Sequence, residues 1–362
     1  MEVPARIRTP LNVLFCLAAV AGAGWSGPVL WDEWRTYRAV GAGCADLVHV
    51  RDVRGMDKAD TVLRNRATLD PDALPSDCLI QNAGADGDAY GAWLFQLLVD
   101  EGTETVVPRP SAELPERFAR LEVPVGNGVS GLAGPNETTV RLDCPGDRRV
   151  EVTASAAYTG MSSYYPKPAT TGDRARMASI AVHAAGELAD RLDCEGDTAA
   201  PALAATPRFT DALDAEGTCA WYRPQEQARA HVPWLPDEAM GAPVDGRVWR
   251  ERCALRLGEE KWADVQTFYD EDVRLGDAAS PVAPGTAGRA ADSALWWATS
   301  VCDGTPAVHV LRVDYGADSR AASPHFEQVF RAYVTDVAAR RGCTGLEFPT
   351  GADFAARPEE AS

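Results

Sequence analysis

Residues 144–153 read CPGDRRVEVT and residues 302–313 read CDGTPAVHVLRV. Each stretch opens on a cysteine and turns through a glycine two residues later. Valines follow six and eight residues after the cysteine, Val150 and Val152 in one, Val308 and Val310 in the other. Such alternation is the mark of a half-buried strand. A helical pattern comes next and ends at a further cysteine, in Cys194-Glu-Gly and Cys343-Thr-Gly. Counting back from it, positions −17, −14, −10 and −6 hold Met177, Ile180, Ala184 and Leu188 in the first stretch. In the second they hold Phe326, Val329, Tyr333 and Val337. Steps of three and four residues lay one apolar stripe along a helix. Arginine stands at −3 in both, as Arg191 and Arg340, where a helix C-terminus favours a cation.

Working outward, the same order recurs upstream. Cys44 and Cys78 are 34 residues apart, as are Cys219 and Cys253. Matching cysteines, valines and helix faces in one order predict a single unit present twice, at 40–198 and 216–349. The linker is expected at 199–215, with a short helix over 209–215, and a disordered tail at 350–362. The fold class is α+β. Each repeat is an antiparallel sheet with one long helix packed across it. Strands are expected around 141–142, 149–153, 307–313 and 87–99. The long helices are expected over 173–192 and 323–341.

Apart from Cys16, the eight cysteines are Cys44, Cys78, Cys144, Cys194, Cys219, Cys253, Cys302 and Cys343. An even set suits an oxidising compartment. Four cysteines per repeat allow three pairings. Neighbour pairing is the expectation, because it pins each strand's start to the end of the following helix. A zinc site usually brings two cysteines within a few residues, and the chain has no CxxC.

The N-terminus carries Arg6 and Arg8 in a cytoplasmic tail, 1–10. An uncharged run from Leu11 to Trp31 follows, closed by Asp32 and Glu33. About 20 apolar residues span the hydrocarbon core of a bilayer. The run therefore reads as a transmembrane signal anchor, 11–31, with Trp25, Trp31 and Trp34 at the interface. A signal peptide cut after Ala21-Gly22-Ala23 is the rival. Either way the bulk of the chain is extracytoplasmic, at a cell membrane spanned once or already left behind. The net charge of −18 repels phosphate backbones and argues against nucleic acid.

The cysteine pattern, together with Val129-Ser-Gly-Leu-Ala-Gly134 and Val140-Arg-Leu-Asp-Cys144, resembles a loose group of uncharacterised exported proteins of high-GC Gram-positive bacteria. That resemblance implies a surface location. It transfers no activity and no site residues.

Local motifs point to no chemistry. Gly126-Asn-Gly-Val-Ser-Gly131 spells GxGxxG, but strand-like sequence follows where a dinucleotide loop must open a helix. It reads as a hairpin or surface loop. His183 and Glu187 share a helix face without a third ligand, so neither a metal nor any other cofactor is expected. No GxSxG or HExxH occurs. The second repeat is rich in tryptophan, and Trp221, Trp234, Trp249 and Trp262 form a possible binding surface. Packing in the core is the plainer reading of them. The expected function is a non-catalytic, membrane-anchored binding module with an envelope protein or a glycan as ligand. The alternative is a cell-envelope hydrolase with a non-sequential site.

Overall fold

The computed structural model describes residues 29–354, apart from 58, 61, 84–92, 103–104, 108–120, 147, 157–168, 227–234, 259–260, 271, 277–279, 291–293 and 315–318. It is a mixed α+β structure with two antiparallel sheets.

The first sheet holds β1 (Leu63–Ala67), β2 (Ser76–Asn82), β3 (Trp93–Glu101), β5 (Val123–Pro124), β6 (Gly131–Ala133), β7 (Glu137–Cys144) and β8 (Arg148–Ala156). Their order across the sheet is β1-β2-β3-β8-β7-β6-β5. The second sheet is built from β9 (Thr210–Asp211), β10 (Glu238–Gly241), β11 (Arg250–Leu257), β12 (Lys261–Tyr269), β14 (Gly288–Arg289), β15 (Leu295–Cys302) and β16 (Thr305–Asp314). Its order is β14-β15-β16-β12-β11-β10-β9, and β17 (Thr344–Glu347) also pairs with β15. Two short strands join the halves: β4 (Thr105–Val107) runs parallel to β13 (Val273–Leu275).

The long helices are α1 (Thr171–Leu192) and α2 (Ser319–Arg341). α1 starts where the Thr170 hydroxyl accepts the Asp173 N–H and satisfies a first-turn donor. Asp193, in the left-handed region, closes it. α2 runs one turn further upstream than the pattern from Ser323 predicts. The eight stripe positions are all buried: Met177, Ile180, Ala184 and Leu188 on α1, Phe326, Val329, Tyr333 and Val337 on α2. Each larger apolar side chain so buried contributes roughly 1.5–3 kcal/mol.

Four disulfides form, Cys44–Cys78, Cys144–Cys194, Cys219–Cys253 and Cys302–Cys343. This is the neighbour pairing. In each half one bridge crosses the middle of the core and the other ties a hairpin corner to the end of the long helix.

The second sheet is covered on both faces. Leu311 and Val313 of β16 pack with α2, whereas Val308 and Val310 join Val107 and Val273 on the opposite side. Met240, Ala242 and Ala254 enter the first half's core. The 199–215 segment packs as well as connects. Leu203, Ala204 and Phe209 pack on that core, and a 3-10 turn, Ala212–Asp214, stands where a short helix was expected. The tail is also corrected at its start: Gly351–Phe354 is helical, and Phe354 stacks on Trp296 with centroids 5.2 Å apart. An aromatic ring that reaches a buried indole orders the chain before it.

No helix among the described residues is long and apolar enough to cross a membrane. The expected span lies outside them except for residues 29–31, which begin a helical segment reaching residue 40.

Candidate functional site

Three loops surround a cleft of about 500 Å³ between the halves. One is the β7–β8 hairpin corner at Cys144. Another is the β15–β16 corner, where Asp303 and Gly304 both take positive φ in a two-residue turn between Cys302 and Thr305. The third is the 242–249 connection between β10 and β11, which supplies Arg247 and Trp249. The floor is a set of ion pairs laid across the seam. Arg141 donates to Glu151 at 2.6 and 3.0 Å and reaches Asp270 at 3.4 Å. Arg149 pairs with the same Asp270 at 2.6 Å and with Asp272 at 3.4 Å. The Arg141 guanidinium lies 4.4 Å from the Trp249 ring centroid.

Behind the floor, Glu251 is buried and held by Arg340 and Arg341, each at 2.8 Å. Burial pushes its carboxyl upward, but Arg340 and Arg341 outweigh burial and hold it below the usual range. Arg340 therefore does more than complement a helix end, since it also pairs with Asp336. Arg341 donates to the carbonyls of Asp245 and Gly246, which fastens the third loop to the end of α2. The Tyr269 hydroxyl donates to Glu251, and burial followed by the Glu251 charge raises its pKa far above the ordinary value. Both effects favour its protonated form.

The only serine and histidine in close contact among the described residues lie elsewhere. His309, fully buried, shares hydrogen bonds of 2.8 Å with Ser300 at Nε2 and Thr267 at Nδ1, and Thr267 in turn meets Tyr333 at 2.8 Å. This chain points toward α2, beneath the sheet and away from the cleft. It is a satisfied core network. Burial lowers the His309 pKa to about 4, against the Glu251 charge, which acts to raise it. The unfolded chain takes up this proton first, near pH 6.5. The resulting stability is present above pH 6.5 and declines toward pH 4, by about 3 kcal/mol. A His309→Gln chain should lack that component. Thermal melts of both chains from pH 7 to pH 4 should converge as pH falls; parallel curves would rule the assignment out.

The predicted sites scatter. Trp221 is corrected from surface to core: it is 8% exposed, its Nε1 donates to the Thr218 carbonyl, and it packs on Tyr222 and Tyr333. An indole on a short 3-10 helix, facing α2, has more to gain from burial than from solvent. Trp249 is half-buried and lines the cleft. Trp262 lies on β12 opposite Arg256 and Asp314. Trp234 falls outside the described residues. His183 stacks on His49 at 4.4 Å, and the described residues contain no group of three metal-binding side chains. Gly126 and Gly128 both adopt positive φ in a hairpin turn between β5 and β6.

Comparison with protein-family models, curated proteins and solved structures yields no match to this chain.

The cleft residues Arg141, Arg149, Arg341 and Asp270 carried no local signal. Their pairings join positions as much as 129 residues apart, which no motif spacing records.

Proposed function

We propose that the chain is a membrane-anchored, extracytoplasmic binding module, non-catalytic, made of one duplicated disulfide-stapled unit and seating its ligand in the cleft between the copies. The observation that carries the reading is the character of the cleft. A half-buried tryptophan and exposed guanidiniums and carboxylates open into it, while the Ser300–His309 pair is sealed under the sheet. That burial weighs against the envelope-hydrolase alternative.

Duplication is supported by the strand orders. β1-β2-β3-β8-β7-β6 corresponds step for step to β10-β11-β12-β16-β15-β14. Cys78 and Cys253 fall on corresponding strands, as do Cys144 and Cys302. Export is supported by the four disulfides. Anchoring is supported by residues that continue the apolar run. Of the nine exposed large hydrophobics among the described residues, five are Val29, Leu30, Trp31, Trp34 and Tyr37. Trp31 and Trp34 stack at 4.9 Å, suited to a headgroup layer.

Non-reducing peptide mapping of chain recovered from membranes tests this reading. The expected result is four linked peptide pairs, residues 1–31 still attached, and protease access from outside only. A cytosolic chain with free thiols would sink it.

A further inference from the structure

We infer that the inter-half cleft takes a short, uncharged glycan segment, recognised through its hydroxyls and one sugar face rather than through charge; this rests on the binding-module reading above.

The charge arrangement decides against a simple ion. The cations deep in the cleft are already matched: Arg141 and Arg149 to Glu151, Asp270 and Asp272, and Arg341 to Glu251. What remains at the mouth is balanced. Arg247 has no ion-pair partner among the described residues, and Arg148 has only Glu101, at 3.8 Å. Against them stand Asp143 and Asp303, exposed carboxylates with no side-chain hydrogen bond among the described residues. A surplus cation would select an anion. Two guanidiniums and two carboxylates instead offer planar donors and acceptors, and neighbouring hydroxyls can serve both at once. The net charge of −18 further disfavours anionic ligands at a distance. Trp249 lines the cleft half-buried, with the Arg141 guanidinium against one side of its ring, and an indole is the apolar surface on which a sugar face packs. A volume of about 500 Å³ lies within the usual range for small-ligand sites. The framework is pre-organised, because Arg341 pins the loop that carries Arg247 and Trp249.

The test uses the full chain in a detergent without sugar headgroups. Chitobiose, maltose and glucuronic acid are titrated by calorimetry and tryptophan fluorescence, at about 50 mM and about 500 mM sodium chloride. A neutral disaccharide should bind and quench fluorescence, with affinity changing less than about twofold between the two salts. Trp249→Ala should weaken it about tenfold or more, a loss of one good contact. Arg247→Gln and Asp303→Asn lie on exposed loop positions. Each should weaken it several-fold with an unchanged melting temperature, and these two decide the matter if Trp249→Ala fails to fold. Binding confined to glucuronic acid and lost at high salt would overturn the inference. So would no binding of any saccharide, or full affinity in the variants. Those failures, with the mapped disulfides and membrane retention intact, leave the module reading standing; a cytosolic, reduced chain removes both.

Discussion

Full reduction of the chain is expected to abolish its cooperative folded state at 25 °C, the largest effect anticipated for any single treatment. The bridges close loops of 34, 50, 34 and 41 residues. On the chain-entropy model each restrains the unfolded state by about 4 kcal/mol. Whole domains are stable by only about 5–15 kcal/mol, so four such losses exceed what the remaining packing supplies. Reduction should also be ordered. Cys194 and Cys343 are partly exposed at the helix ends, whereas Cys44, Cys78, Cys219 and Cys253 are fully buried. A thiolate must reach a sulfur to attack it. The helix-end bridges should therefore open first, and the core bridges only once the chain unfolds. Circular dichroism with and without reductant, combined with timed thiol labelling, measures both features. A melting curve unaffected by reductant would contradict the first, and early labelling of Cys44 or Cys219 the second.

Within each half, the sequence marked the long helix, the hairpin before it and the cysteine pairs, whereas strands such as β2, β11, β12 and β15 and the order across each sheet carried no expectation. The helix stripe from Met177 to Leu188 and its counterpart from Phe326 to Val337 are local patterns. Local periodicity decides which side of a helix is buried. The hairpin at Asp303-Gly304 is likewise written in two adjacent residues. The disulfides were legible because spacing recurs, and recurrence is independent of knowing the fold.

The seam between the halves was not legible. Its parts are a three-residue parallel pairing of β4 with β13 and ion pairs such as Arg149–Asp270, distant in sequence and short in extent. Tryptophan abundance was ambiguous for a related reason. Trp221 and Trp249 look alike in sequence, yet one fills the space under α2 while the other walls a cleft. Only the tertiary environment separates burial of a side chain from its display.

The second large effect is expected at that seam. Asp264 is fully buried on the face of β12 turned from α2, opposite Ala254 and Arg312. It accepts from Arg252 at 2.6 Å and from Arg312 at 2.8 Å, with Gln266 as a further donor. Burial alone would raise its pKa, but Arg252 and Arg312 outweigh burial and hold it below the usual carboxylate range. Its contribution is thus present above the unfolded value near 3.9 and lost as pH falls below it. Asp264→Ala removes the carboxylate that two largely buried guanidiniums share. Breaking a buried pair in this way costs about 3–5 kcal/mol. Replacing the whole cluster should act otherwise. In Asp264→Leu/Arg252→Met/Arg312→Met the carboxylate and both guanidiniums are removed together, and apolar packing against Ala254 and Met240 can take their place. Such exchanges are often neutral or stabilising. Urea denaturation of the three chains reads the comparison directly. The single variant should lose most of its stability, and the triple variant should stand near the parent. If the triple variant were as weak as the single one, stability at the seam would depend on the ion cluster itself, and the cost could not be assigned to leaving the guanidiniums without their shared carboxylate.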